Sequence, residues 1–170
     1  SRKTTIKTRI LSGSSQMLRV DEEIDTPLNK VDEKAVIASI KNRINSRDID
    51  IIIFEDYDKG LITPNLIQEV VSRANALKIP TAADPKKKNF MLYKNVSLFK
   101  PNLKELREGL KVDINDYNIK DVEKTVDQLQ STLNARQVLV TLSELGVYIS
   151  SKGFKKMIPA HFRDITDVSG

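Results

Sequence analysis

The chain has 170 residues, 39% of them hydrophobic and 30% charged, with 28 basic side chains against 23 acidic ones. That is enough apolar material for one packed core, the charge is too balanced for a disordered chain, and with no dominant basic block a nucleic-acid face is possible but not demanded. Zero cysteines exclude disulfides, thiolate zinc and a thiol nucleophile, the single histidine (His161) excludes a histidine-rich metal site, and 5% aromatics without tryptophan argue against a base-stacking platform.

Two extended segments come first, 4–12 and 16–23, around Gly13, Ser14 and Ser15. Ile6, Ile10, Met17 and Val20 give them β-type apolar residues, while Lys7, Arg9, Arg19 and Asp21 demand a wet face, so a small hairpin outside the main core is predicted. After Thr26-Pro27 the period changes to helical, with Val36, Ile37, Ile40 and Ile44 on one face and Asp32 as the expected N-cap. Ile49, Ile51, Ile52, Ile53 and Phe54 form a β-branched run that reads as a parallel-sheet strand buried on both faces.

The grammar then repeats. Thr63-Pro64 opens a helix as N-cap and N1, with a stripe at Leu66, Ile67, Val70, Val71, Ala74 and Leu77. Short strands are predicted at 81–83 and 96–99. A short helix carries Leu103, Leu106 and Leu110, and a stronger one carries Ile119, Val122, Val126, Leu129 and Leu133. Val138 to Val140 form another buried strand, and the tail (Val147, Ile149, Met157, Ile158, Phe162, Ile165) reads as an antiparallel meander broken at Gly153. Helix and strand alternating from about 32 to 141 predict right-handed βαβ units and a three-layer, Rossmann-like α/β core with a parallel sheet. No apolar run approaches the roughly 18 residues of a membrane span, and the polar, basic N-terminus has no signal-peptide core, so a cytoplasmic protein is expected.

Ligands of open α/β sheets bind beyond the carboxyl ends of the strands. Here those ends carry Asp56 to Gly60, Asp84 to Lys86, Asn102 to Glu105, and Thr141 to Gly146. Lysines for anionic oxygens, carboxylates for hydroxyls or Mg²⁺, and glycines for close backbone approach suit a phosphorylated small molecule. Neither GxxxxGK[ST] nor GxGxxG occurs, which removes the P-loop and dinucleotide readings. Each piece also has a structural reading. Asn102 with Glu105 is a capping box, Asp84-Pro85 a strand-exit turn, Asp56 to Gly60 a polar loop, Lys86 to Lys88 a solvated face, Thr141 to Gly146 a hairpin turn and His161 a surface residue.

Taken together, E-D-Y-D-K-G at 55–60, D-P-K at 84–86, K-P-N-L-K-E at 100–105, L-V-T-L-S-E-L-G at 139–146 and D-V-S-G at 167–170 resemble the ribokinase, or phosphofructokinase B, family of sugar kinases. T-T-I-K-T-R-I-L-S at 4–12 with Q-M-L-R-V-D at 16–21 looks like the lid of its heptose-7-phosphate kinase branch. The resemblance implies a lid over 1–25 and a ribokinase-like core over 26–170. It implies ATP and Mg²⁺ as cofactors, and a sugar phosphate, D-glycero-D-manno-heptose 7-phosphate, phosphorylated at its anomeric hydroxyl for ADP-heptose and lipopolysaccharide-core synthesis. Asn102 and Glu105 match the N-x-x-E motif, whose Glu acts indirectly on Mg²⁺, and Thr141, Ser143, Gly146 and Gly170 match positions around the ATP phosphates. Arg9, Arg19, Asp56, Lys59 and Lys86 fall on the substrate side. The family signature continues past D-V-S-G to a catalytic Asp that this sequence does not reach, so no catalytic base is assigned and an internal, inactive piece of a kinase is expected. The implied partner is a second copy paired through the lid, with neither nucleic acid nor membrane. Two alternatives stay open: a non-catalytic nucleotide- or partner-binding module, and a kinase of the same family for another sugar.

Overall fold

The computed structural model describes residues 2–13, 15–114 and 118–161. Ser14, Phe162, Ile165 and Gly170 lie outside the described residues. Two strands, β1 (Ile6–Ser12) and β2 (Ser15–Glu22), form an antiparallel hairpin with a register shift at Ile10/Leu11. The remaining elements follow as α1 (Lys30–Ser46), β3 (Ile52–Glu55), α2 (Pro64–Ala76), β4 (Thr81–Asp84), β5 (Leu98–Phe99), α3 (Leu103–Leu110), α4 (Ile119–Leu133), β6 (Gln137–Thr141), β7 (Val147–Ser151) and β8 (Phe154–Ile158). The six strands from β3 to β8 form one sheet in sequence order, parallel from β3 to β6 and antiparallel from β6 to β8. The parallel α/β core, the separate hairpin and the terminal meander are thus all present.

Local chemistry explains the helix starts. The Thr63 hydroxyl accepts from the backbone N–H of Leu66 with Pro64 behind it. At α1 the cap is Asn29, not Asp32. The Asn29 Oδ1 accepts from the N–H groups of Val31 and Asp32, which leaves Asp32 in the first turn, where its charge suits the helix dipole.

Cross-strand partners share a sheet face, so register reads out the layers. Phe54, Ala83, Phe99, Val138 and Ser150 are in register and all buried. Against this row lie Phe90, Tyr93, Leu106 and the α4 stripe Val122, Val126, Leu129 and Leu133. Phe90 meets Phe99 edge-on with ring centroids 5.1 Å apart, and Phe54 meets Tyr93 at 5.6 Å. The Ser150 hydroxyl donates to Gln130 Oε1 of α4 at 2.8 Å.

The opposite row differs. Ile53, Ala82, Leu98 and Gln137 are half-buried or exposed, and β3 is an edge strand. The expectation that the 49–54 run is buried on both faces is therefore corrected: Ile53 is 62% and Ile51 49% exposed. Strand propensity comes from the β-branched side chains themselves, whereas burial depends on which elements pack above and below.

Phe99→Ala removes the ring at the centre of this cluster. Denaturant unfolding should show a loss of about 3–5 kcal/mol, and a loss below about 1 kcal/mol would mean that the Phe90–Phe99–Tyr93 contacts do not hold the core.

Candidate functional site

The parallel strands all point their carboxyl ends at one rim. Asp56 follows β3, is 4% exposed and is fully engaged. Its carboxylate accepts from the Tyr93 hydroxyl (2.7 Å), Asn89 Nδ2 (2.8 Å) and the Asp58 N–H (2.9 Å), while its own N–H donates to the Asp84 carbonyl at the end of β4 (3.1 Å). These donors satisfy a polar group that would be costly to bury unpaired. Burial, then the hydrogen bond to Asp56, raises the Tyr93 phenol far above its ordinary range. The Asp56 side chain thus organises the rim.

The next strand end carries the lysines. Lys86 pairs with Glu105, and this partner raises the Lys86 ammonium above its ordinary value. Glu105 closes the capping box of α3: its Oε2 accepts from the Asn102 N–H at 2.9 Å, and the Asn102 Oδ1 accepts from the Glu105 N–H at 2.8 Å. Both Glu105 oxygens are therefore taken. Asp58, Lys86, Lys87, Asn102, Lys104 and Glu105 surround a cavity of about 310 Å³. Among the described residues no three acidic or histidine side chains converge as a metal-ligand set.

Thr141 ends β6 beside Asn102, and its N–H donates to the Pro101 carbonyl at 3.2 Å, which brings two of the predicted phosphate-side positions together. Ser143 is exposed in the following 3-10 turn. Gly146 has φ +101, and an added Cβ there would overlap the Ile158 carbonyl oxygen and stand 2.6 Å from the Ala160 nitrogen. Glycine is demanded at that position by the passing chain, whatever else it serves.

Arg9 and Arg19 face one another directly across the hairpin. Arg19 forks onto the Asp21 carboxylate at 2.8 and 2.6 Å, which raises the guanidinium further and holds the Asp21 carboxyl below its ordinary range. Lys7, on the same face as Arg9, stands 5.7 Å from the centroid of the Tyr57 ring. The hairpin therefore turns its charged side to the rim. Thr5, Lys7, Tyr57, Lys59, Leu61 and Ile62 enclose about 300 Å³ between them. Lys59 is paired with Glu23 at the root of the hairpin. His161 is exposed.

The rim thus gathers several of the expected residues in two adjoining groups, Asn102, Glu105, Thr141 and Lys86 on one side and Asp56 and Lys59 on the other, while Arg9 and Arg19 stay on the hairpin and only Lys7 reaches the rim. Sequence reasoning missed Tyr57, Lys7, Asn89 and Tyr93. Tyr57 was findable, because it lies inside a strand-end loop. Asn89 and Tyr93 carried no signal, since they reach Asp56 across 33 and 37 positions of chain.

Comparison with known proteins gives the same outline. The pfkB family carbohydrate kinase profile matches residues 61–170. The bifunctional protein HldE of Campylobacter jejuni strain RM1221 is 34% identical over 169 residues, 99% of this chain and 35% of that protein. The HldE of Helicobacter pylori strain J99 is 35% identical over 170 residues, 100% of this chain and 36% of that protein. The chain spans about a third of the length of these relatives. Among solved structures, phosphofructokinase-2 from Escherichia coli in complex with potassium superposes with a TM-score of 0.66 at 16% identity, over 84% of this chain and 46% of its own. Phosphomethylpyrimidine kinase from Clostridium difficile 630 gives 0.58 at 15% identity, over 90% and 68%. At such identities the superpositions speak for the fold alone.

The raised Tyr93 phenol has a measurable consequence. Its folded value lies above the unfolded value of roughly 10, so the stability it contributes is full below that pH and is lost as the pH rises above it. In an alkaline absorbance titration, the Tyr93 share of the phenolate signal should appear only with unfolding, and Tyr93→Phe should remove that late step. An unchanged late step in Tyr93→Phe would show that the phenol is not held by Asp56.

Proposed function

Because the chain belongs to the pfkB family of carbohydrate kinases, we propose that it is part of a kinase that transfers the γ-phosphoryl group of ATP to the anomeric hydroxyl of D-glycero-D-manno-heptose 7-phosphate, on the route to ADP-heptose. The observation that carries the substrate is the pattern of likeness. Relatives matching the whole chain at 34% and 35% identity are HldE proteins, while phosphofructokinase-2 shares only the fold, at 16%. A cytoplasmic location goes with that substrate, and among the described residues no helix is long and apolar enough to cross a membrane.

In this reading the two groups on the rim divide the work. The sugar phosphate lies under the hairpin, which serves as the lid, with Arg9, Arg19 and Lys59 as its cations and Lys86 reaching it from the neighbouring group beside Glu105. Two arginines directly opposite each other repel, and a doubly charged phosphate between them turns that repulsion into attraction. Asp56 holds the loop that carries Lys59. Asn102, Glu105, Thr141, Ser143, Gly146 and Gly170 serve the nucleotide phosphates. Glu105 orders the N-terminus of α3 and acts on Mg²⁺ only indirectly, and the ion supplies charge neutralisation on the phosphates. The in-line attack of the sugar oxygen on the γ-phosphorus, with ADP leaving, needs a general base that is assigned to no residue of this chain.

The hairpin also has a second face. Ile6, Ile10, Leu18 and Val20 lie on the side opposite Arg9 and Arg19 and are about half exposed. We assign that face to a second copy of the chain, which makes the protein a homodimer.

An ADP-release assay on the complete gene product should show turnover with heptose 7-phosphate and little with ribose or fructose 6-phosphate; the reverse preference would overturn the substrate. Arg9→Ala and Arg19→Ala should each raise KM for the sugar phosphate about tenfold or more and leave KM for ATP unchanged. Sedimentation of Ile10→Glu should show dissociation to monomers. A wild-type protein that is monomeric at high concentration would rule out the dimer.

A further inference from the structure

The root of the hairpin is held by an unusually tight clasp on the strand-end loop. Gly60 closes that loop at φ +75, and its carbonyl accepts from the Leu28 N–H at 3.0 Å. A Cβ at Gly60 would overlap the carbonyl oxygen of Thr26 and come within 2.9 Å of that of Asp25. These carbonyls belong to the segment through which the hairpin leaves the core. Backbone here lies against backbone with no room for a methyl group, in a conformation that L side chains resist. The Arg2 guanidinium fastens the same place from outside. It donates to the carbonyls of Ile24 and Thr26 on the hairpin side, the latter at 2.8 Å, and to that of Lys59 on the loop side. Two ion pairs flank the clasp, Lys59 with Glu23 and Lys88 with Asp25. Lys88 also reaches back to Asp58, through its N–H to Oδ2 at 3.3 Å.

We infer that Gly60 and Arg2 are positioning residues: they set the angle at which the hairpin leaves the core, and so the distance from Arg9, Arg19 and Lys7 to the rim. Neither need touch the substrate. A hairpin that buries none of its own residues has little internal rigidity, so a small rotation at its root is magnified at Arg9 and Arg19. Displacing a binding group by about 1 Å can cost on the order of a hundredfold in rate. Arg2 and Gly60 bond to the hairpin exit and to the loop bearing Lys59, so the clasp bears on the sugar side of the rim. The inference rests on the kinase reading for its kinetic consequence, but its geometric content stands without it.

The test uses the complete gene product carrying Gly60→Ala, with Arg2→Ala as a second, milder variant in case the first does not fold. Spin labels at Met17 on the hairpin and Ser131 on α4 report the lid angle as an interspin distance, and steady-state kinetics report KM for each substrate. The expected result is a narrow distance distribution in the parent that broadens or shifts in both variants. KM for the sugar phosphate should rise about tenfold, with KM for ATP within twofold and an unchanged unfolding midpoint in Arg2→Ala. An unshifted distance in Arg2→Ala, or KM values for sugar phosphate and ATP that rise together, would overturn the inference. A shifted distance in a protein whose parent form turns over no sugar phosphate would leave the clasp standing and remove the kinase reading instead.

Discussion

One buried carboxylate sets the geometry on which the rim depends. Asp56 has almost no exposed surface, and three protein donors satisfy its carboxylate oxygens, so losing one would leave a buried polar atom without its partner. Each donor ties down a different piece of chain. The Asp58 N–H fixes the loop after β3. Asn89, which also donates to the Ile62 carbonyl at 2.9 Å, draws the loop after β4 against it. Tyr93 sends its ring into the cluster with Phe54 and Phe99. The direction taken by residues 84–88, and with it the placement of Lys86 and Lys88, follows from this one knot.

The order of elements was legible because period and punctuation are local. Thr63-Pro64 announces α2 within four residues, the α4 stripe is unbroken from Val122 to Leu133, and Gly153 breaks the final hairpin where a positive φ is required. Burial was less legible. The Ile49–Phe54 run has the composition of a central strand and lies at an edge, because coverage of its outer face is decided by other elements that four residues cannot encode. The cap of α1 was misplaced by three positions for a similar reason. Asn29 and Asp32 are both good caps, and the choice between them falls to backbone geometry at the helix entry.

For the rim, the rule that ligands meet strand ends in an open α/β sheet picked out the strand-end loops, and the family resemblance singled out positions within them. What neither could supply was partnership. Asp56 was selected as a carboxylate available to a ligand, and its oxygens are spent on Asn89, Tyr93 and the Asp58 N–H. Glu105 was read both as a capping residue and as a site residue, and the geometry shows the cap outright. The two uses are compatible, since a capped helix start is already a place of positive potential. Gly146 is accounted for by packing: the chain leaving β8 passes where a side chain would stand.

The hairpin shows why such architecture matters for chemistry. Isolated two-stranded hairpins are marginal in water, and β1 with β2 buries no residue in either strand. Its cross-strand pairs do not compensate. Arg9 opposite Arg19 is repulsive, and the Arg19–Asp21 fork, being exposed, offsets that only in part. The bulge at Ile10/Leu11 adds twist without adding contacts. Beyond the exposed Lys7–Tyr57 contact, little in the hairpin itself fixes where its charged face points. That orientation is imposed from the root, through a glycine with no space for a methyl group and an arginine shared among three carbonyls, and the loop bearing both Gly60 and the Lys59 carbonyl begins at Asp56. The same buried carboxylate that orders the rim therefore also aims the cationic face above it.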